Sequence, residues 1–178
     1  MNIFYLDKKP MTAARMHCDK HVVKMILESA QMLSTAHRIL DGNDYADRRG
    51  LYKATHKNHP ANIWIRESAD NYVWLYNLFT FLCIEYTTRY NKLHKTSRLT
   101  DALASLPNNI GDAEFTDPPQ CMPKDYKQES TVEAYRDYYC GEKASFAKWK
   151  DSKEPEWFYD AKSSHENHAS HWGRYNRW

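Results

Sequence analysis

The sequence predicts a mainly α-helical single domain, a compact irregular bundle of about four helices. From about Thr12 to Leu40 there is neither glycine nor proline. Over that stretch Val22, Val23, Ile26, Leu27, Ala30 and Leu33 recur every three or four residues and make one broad apolar face. A second long stretch, about Ala61 to Leu93, carries Trp64, Ala69, Val73, Tyr76, Phe79, Leu82 and Tyr86 as its buried stripe. There is no internal repeat and no pattern for an extensive sheet.

Ahead of the first helix, Asn2 to Leu6 has strand-like composition and leads into Asp7-Lys8-Lys9-Pro10. Asp41-Gly42-Asn43-Asp44 stops the helix, because glycine leaves a helix through positive φ at little steric cost. Residues 44–60 form a polar, basic connector closing on Lys57-Asn58-His59-Pro60. After the second helix, Ser97 to Leu106 predicts a short third one. The least regular part is Pro107 to Lys127, a long loop containing Pro107, Pro118, Pro119 and Pro123. Ser130-Thr131-Val132-Glu133 is a capping box that opens a last helix to about Lys150, interrupted at Gly141. The chain thus divides into a helical core with the candidate site (1–95), an irregular insertion (96–128), and the last helix with an aromatic, histidine-rich tail (129–178).

A 178-residue domain buries roughly 70% of its unfolded surface and needs no disulfide or metal to hold a core. Hydrophobic residues at 42% and charged residues at 27% exclude the disordered class. The aromatic content, 14%, suits both a dense core and a surface that stacks on bases. Net charge is only +2, so any nucleic-acid binding has to rest on a local basic patch. Cys18, Cys83, Cys121 and Cys140 are scattered, without a C-x-x-C pair, and the chain opens without an apolar leader. They read as reduced thiols in a cytoplasmic setting. The most apolar stretch, Tyr72 to Tyr86, holds Asn77 and Glu85 and predicts no membrane span.

His17, His21, Lys24, Glu28 and Gln31 follow one another at intervals of four, three, four and three, which aligns them along one side of a helix. Two readings stay open. As a solvated face, the stripe contributes a Lys24–Glu28 pair worth roughly a few tenths of a kcal/mol. As a site, it joins a carboxylate, an imidazole and an amine. Glu28 would then do general acid/base work or stabilise a cationic sugar-like transition state, and His21 would orient or protonate a leaving group.

Asp19-Lys20-His21-Val22 followed by Glu28 resembles the signature helix of the pyrimidine-dimer DNA glycosylases, the phage endonuclease V type. There an Asp-x-His-Leu element precedes the catalytic glutamate at the same interval. Lys57-Asn58-His59-Pro60 resembles an element that precedes the second helix in bacterial relatives. Glu142-Lys143 with Pro155-Glu156-Trp157-Phe158-Tyr159 is similar to the aromatic end of the phage enzyme. The resemblance implies a compact, mostly α, endonuclease V-like fold, a double-stranded DNA partner, DNA kinking and extrusion of a nucleotide. It puts Glu28 in the place of the catalytic carboxylate, acting on charge at the sugar C1′ and on proton transfers during strand cleavage. The family nucleophile is the amine of a small residue exposed by removal of the initiator methionine. Here Asn2 is too large for efficient removal, so the amine belongs to Met1, with Lys24 as an alternative if burial or neighbouring charge lowers its pKa. An arginine that closely follows the family glutamate is missing, and Arg38 or a connector arginine would replace it.

Arg48, Arg49, Lys53, His56, Lys57 and His59 make a candidate phosphate clamp beside a helix N-terminus, or else a solvated loop. Arg89, Lys92, His94, Lys95 and Arg98 form a second basic cluster, which helix-dipole effects alone would also produce. Trp157, Phe158 and Tyr159 read as packing or as base-stacking residues. His165, His168 and His171 have a spacing that suits metal ligation, with only Glu166 nearby to add to the set, or they belong to a polar tail. No Gly-rich phosphate loop, G-x-S-x-G elbow or H-E-x-x-H is present. The expectation is a monomeric, cytoplasmic glycosylase of a bacterial or phage-infected cell, acting on a pyrimidine dimer or modified nucleotide, with or without an AP lyase step, and using no metal and no cofactor. The alternatives are a non-catalytic, phage-type DNA-binding accessory protein and a metal-dependent nuclease built from the histidines.

Overall fold

The computed structural model describes residues 2–150 and 152–161, and among these the chain is mainly helical with no strand. Its helices are α1 (Pro10–Met16), α2 (Asp19–Leu40), α3 (Asn43–Arg48), α4 (Pro60–Glu67), α5 (Ala69–Tyr90), α6 (Thr100–Leu103) and α7 (Thr131–Lys143). Turns of 3₁₀ helix lie at Lys95–Leu99 and Lys124–Tyr126, and a further helical segment at 156–161. α2 and α5 pack along each other, α1 lies against α5, and α4 touches both α2 and α5. Among the described residues no helix is long and apolar enough to cross a membrane.

The four expected helices become more and shorter pieces, and each division has a cause. His17 and Cys18 adopt extended backbone between α1 and α2, with ψ of 133° and 162°. No glycine or proline forces this break; distant partners hold it. The Cys18 N–H donates to the Tyr139 hydroxyl at 2.9 Å. Arg89 donates to the carbonyls of Arg15 and His17 at 3.0 and 2.8 Å, and Trp149 Nε1 donates to the Met16 carbonyl at 3.0 Å. Arg89 and Trp149 thus take up carbonyls that the end of α1 leaves orphaned, and Tyr139 takes the N–H ahead of α2. The second long helix divides at Ser68, whose hydroxyl caps α5 by accepting from the Asp70 and Asn71 N–H groups and donates to the Ala113 carbonyl at 2.5 Å.

Other boundaries move less. The helix expected over 97–106 is a 3₁₀ turn followed by α6. The connector contains α3, and the last helix opens on its Ser130 cap but ends at Lys143. Residues 3–6 form no strand; they are buried, turn tightly where the Leu6 N–H donates to the Phe4 carbonyl at 3.0 Å, and stack Phe4 on His21 at a centroid distance of 4.3 Å. The 107–127 loop is fastened to the core through Thr116, whose N–H donates to Asn71 Oδ1 at 3.1 Å and whose carbonyl takes the Trp64 indole N–H at 3.0 Å.

α7 runs through Gly141 instead of stopping there, and the glycine serves a close approach. A β-carbon at that position would stand 2.7 and 2.8 Å from two ring carbons of Tyr126, with the hydroxyl nearer still. Gly141→Ala is therefore expected to displace Tyr126 from Tyr138 and Glu142. That outweighs alanine's helix preference and costs about 1–2 kcal/mol in urea unfolding. A stabilised variant would show that Tyr126 swings away freely.

Candidate active site

Glu28 lies on α2 with its side chain 13% exposed, at the place where the start of the chain enters the core. The Asn2 backbone N–H donates to Glu28 Oε2 at 3.2 Å, and the exposed Lys24 ammonium stands 3.4 Å from Oε1. Ile3, Phe4, Tyr5 and Leu6 are all buried and anchor this segment. The Asn2 side chain is held as well: Nδ2 donates to the Cys121 carbonyl at 3.0 Å, and Oδ1 accepts from the Ile3 N–H at 2.8 Å. The buried Tyr135 hydroxyl of α7 lies 2.8 Å from both Asn2 Oδ1 and the Pro119 carbonyl, which share its one proton.

The N-terminal end of α4 adjoins this cluster. His59 caps α4, its Nδ1 accepting from the Ala61 N–H at 3.2 Å, so the neutral ring carries its proton on Nε2. Burial lowers the His59 pKa and His56 adds to the shift, whereas the Glu28 carboxylate opposes it, which ties His59 electrostatically to Glu28. The loop ahead of His59 is braced on both sides. Asn62 Nδ2 donates to the Thr55 and His56 carbonyls at 3.2 and 3.1 Å, and the Thr55 N–H reaches Thr35 on α2 at 3.2 Å. With His56 in the left-handed region (φ 47°), the loop presents His56, Lys57 and Asn58 to solvent.

The expected His21–Glu28 partnership does not form. Seven residues along a helix place two side chains on the same side but about 10 Å apart, and each has found other neighbours. His21 is buried among Phe4, Tyr139 and Phe146. The Tyr139 hydroxyl, which accepts from Cys18, lies 2.7 Å from His21 Nδ1 and donates to it. Burial, with the charges of His17, Lys143 and Lys24, lowers the His21 pKa to about 3. It is packed as a core histidine, and burial disfavours its charged form. His17, also expected on the stripe, is fully buried at the α1–α2 break with Nδ1 donating to the Ala13 carbonyl at 2.7 Å.

The basic residues also sort themselves. Arg89 is withdrawn from the second cluster, since its guanidinium is buried and taken up by Asp19, Glu85 and two carbonyls. Arg38 is no substitute for the missing family arginine: it is buried and pins the connector by donating to Tyr52 and Leu51 carbonyls, Asn43 and Asp47. Arg49 is committed to the Tyr45 hydroxyl, the Ala102 carbonyl and Ser105, and Lys53 to Asp47 at 2.8 Å. Arg48, His56, Lys57 and Lys92 remain exposed. Trp157 packs edge-on against Tyr139 and Phe158 with Arg136 over its face, while Tyr159 is exposed. Met1, His165, His168 and His171 lie outside the described residues. Among the described residues no group of three His, Cys, Asp or Glu side chains is placed to hold a metal ion.

Two clefts are relevant. One of about 370 Å³ runs between α4 and residues 116–119, lined by Pro60, Ile63, Trp64, Glu67, Thr116, Asp117 and Pro119. It thus shares Pro60 and Pro119 with the surroundings of the Asn2–Glu28 cluster. The other, about 500 Å³, lies between α1, Arg136 and the Lys153–Asp160 segment and contains Trp157 but neither Glu28 nor Asn2. Asn2 and Tyr135 are the site residues that the sequence pattern missed, because their partners are 119 and 133 residues away.

No family model, curated protein or solved structure matches this chain. The functional reading therefore rests on the site.

Proposed function

We propose that this chain is a DNA glycosylase acting on a damaged or modified nucleotide, with Glu28 as its catalytic carboxylate and the residue-1 amine as the nucleophile of an AP lyase step. The observation that carries the proposal is the hydrogen bond from the Asn2 N–H to Glu28. Three covalent bonds separate an amine on residue 1 from the Asn2 nitrogen, so that amine stays within about 4 Å of it whatever the torsions. Where residue 1 carries a free amine, covalent geometry alone bounds it to within about 7 Å of the carboxylate.

The unprotonated amine attacks C1′ as the bond to the base breaks, and an imine forms between residue 1 and the opened sugar. Glu28 stabilises the positive charge on the sugar and relays the protons of imine formation and strand cleavage. Lys24 flanks the carboxylate as an exposed cation. His56 and Lys57 on the braced loop, with Arg48 and Lys92, are the side chains left for phosphate contacts, which position DNA without reading its sequence. Double-stranded DNA is the partner and a monomer the working form.

The test is incubation with duplex DNA carrying a cyclobutane thymine dimer or an abasic site, with and without borohydride. Strand cleavage and a trapped covalent adduct are expected, both falling by on the order of 10²–10⁴-fold in Glu28→Gln. Absence of cleavage on either DNA would overturn the repair reading. DNA binding without product, unaffected by Glu28→Gln, would instead identify an accessory DNA-binding protein, and cleavage abolished by a chelator would identify a metal-dependent nuclease.

A further inference from the structure

We infer that Asn2 is a positioning residue, clamped by Tyr135 and the 119–121 segment so that its backbone N–H is fixed on Glu28. The inference rests on the proposed lyase reading and adds a set of residues that nothing in the Glu28 helix would indicate.

Every polar group of Asn2 but its backbone carbonyl has a defined partner: the N–H has Glu28, Nδ2 has the Cys121 carbonyl, and Oδ1 has Tyr135 and Ile3. Tyr135 is itself immobilised. It is fully buried, and its hydroxyl accepts from the Cys121 N–H at 3.2 Å while lying 2.8 Å from the Pro119 carbonyl. The start of the chain is thereby tied to α7 and to the 119–121 segment as well as to α2. A core-filling role would need only the apolar side chains of residues 3–6, which are already buried. The polar clamp instead fixes the direction of the backbone at the one residue adjoining the amine. Displacing a reacting group by about 1 Å can slow a reaction on the order of 10²-fold, so this restraint acts directly on rate.

Two variants test this, Tyr135→Phe and Asn2→Leu. The first leaves the residues at the chain start unchanged, and the second keeps a side chain too large for methionine removal. Each is compared with the unaltered full-length protein after cooperative unfolding has shown that it is folded. Three quantities are measured: the single-turnover rate of borohydride trapping on saturating abasic-site DNA, the affinity for that DNA, and the rate at which formaldehyde with cyanoborohydride methylates the residue-1 amine, read by mass spectrometry. Trapping is expected to slow at least tenfold in both variants with affinity within twofold. Methylation is expected to speed up at least threefold as the amine leaves the carboxylate. Trapping and methylation rates equal to those of the unaltered protein would overturn the clamp while leaving the lyase reading intact. If the unaltered protein traps no DNA but its methylation rate still responds to both substitutions, the clamp stands and the lyase reading falls.

Discussion

Replacing Arg89 with alanine is expected to destabilise the protein by about 3–5 kcal/mol, the range for removing one partner of a buried ion pair. The Arg89 side chain is fully buried. Its Nη1 donates to Asp19 and to the His17 carbonyl, its Nη2 to Glu85 and to the Arg15 carbonyl, and its Nε to Glu85. Alanine would take the buried donor from two carbonyls at the α1–α2 break and from two partly buried carboxylates, leaving Asp19 with the Lys150 N–H and Glu85 with the more distant, exposed Arg15. Lysine is expected to recover less than half of the loss, because one ammonium cannot span partners arranged for a planar fork. Urea unfolding measures the effect, and Lys92→Ala, at an exposed position nearby, is the control expected to stay within about 0.5 kcal/mol. If Arg89→Ala left stability unchanged and weakened DNA binding instead, the guanidinium would belong to the DNA-facing surface and this account of the helix break would be wrong.

Arg89 also shows where the sequence stops being informative. Three- and four-residue periodicity reports burial within one helix, and it located Val22, Ile26, Ala30 and Leu33 in the α2 core; Val23, Leu27 and Val73, expected on the buried stripes, are exposed, and in α5 it found Phe79 and Leu82 but missed Tyr72, Leu75 and Leu78. Local punctuation was equally legible: Gly42 at φ 90° follows α2, Pro60 opens α4, and Ser130 caps α7. The break at His17 and Cys18 was hidden because its partners, Tyr139 and Arg89, lie 121 and 72 residues away. The division at Ser68 was not hidden in the same sense. Serine followed by Asp70 is a helix-start signal that the long apolar pattern masked. Glu28 stood out from its stripe and from the resemblance. His21 was paired with it wrongly, since helical spacing gives a side but not a neighbour, and the aromatic cage around His21 is assembled from residues 4, 139 and 146.

That cage makes the second large effect an acid one. Burial lowers the pKa of His17 to about 4 and that of His21 to about 3. Both folded-state values lie below the ordinary 6.5, so the unfolded chain binds more protons. Stability is complete above pH 6.5 and is lost as pH falls toward 4 and 3. Each ring contributes up to about 1.4 kcal/mol of loss per pH unit, and the two together about 5 kcal/mol between pH 7 and 4.5. That is a large share of the roughly 5–15 kcal/mol a domain possesses. Charging His21 also disturbs the hydrogen bonds, because its Nδ1 would become a second donor toward the Tyr139 oxygen that already accepts from Cys18. Urea unfolding at pH 7, 6, 5 and 4.5 gives the slope. His21→Phe preserves a ring against Phe4 but cannot be protonated, so it is expected to be less stable at pH 7 and to lose stability about half as steeply below pH 6. Equal slopes in the two proteins would remove His21 from the account. Should the proposed cleavage be observed, a rate that falls between pH 7 and 5 in step with the folded fraction would report these two core histidines, whereas a fall at constant folded fraction would point to His59 beside Glu28.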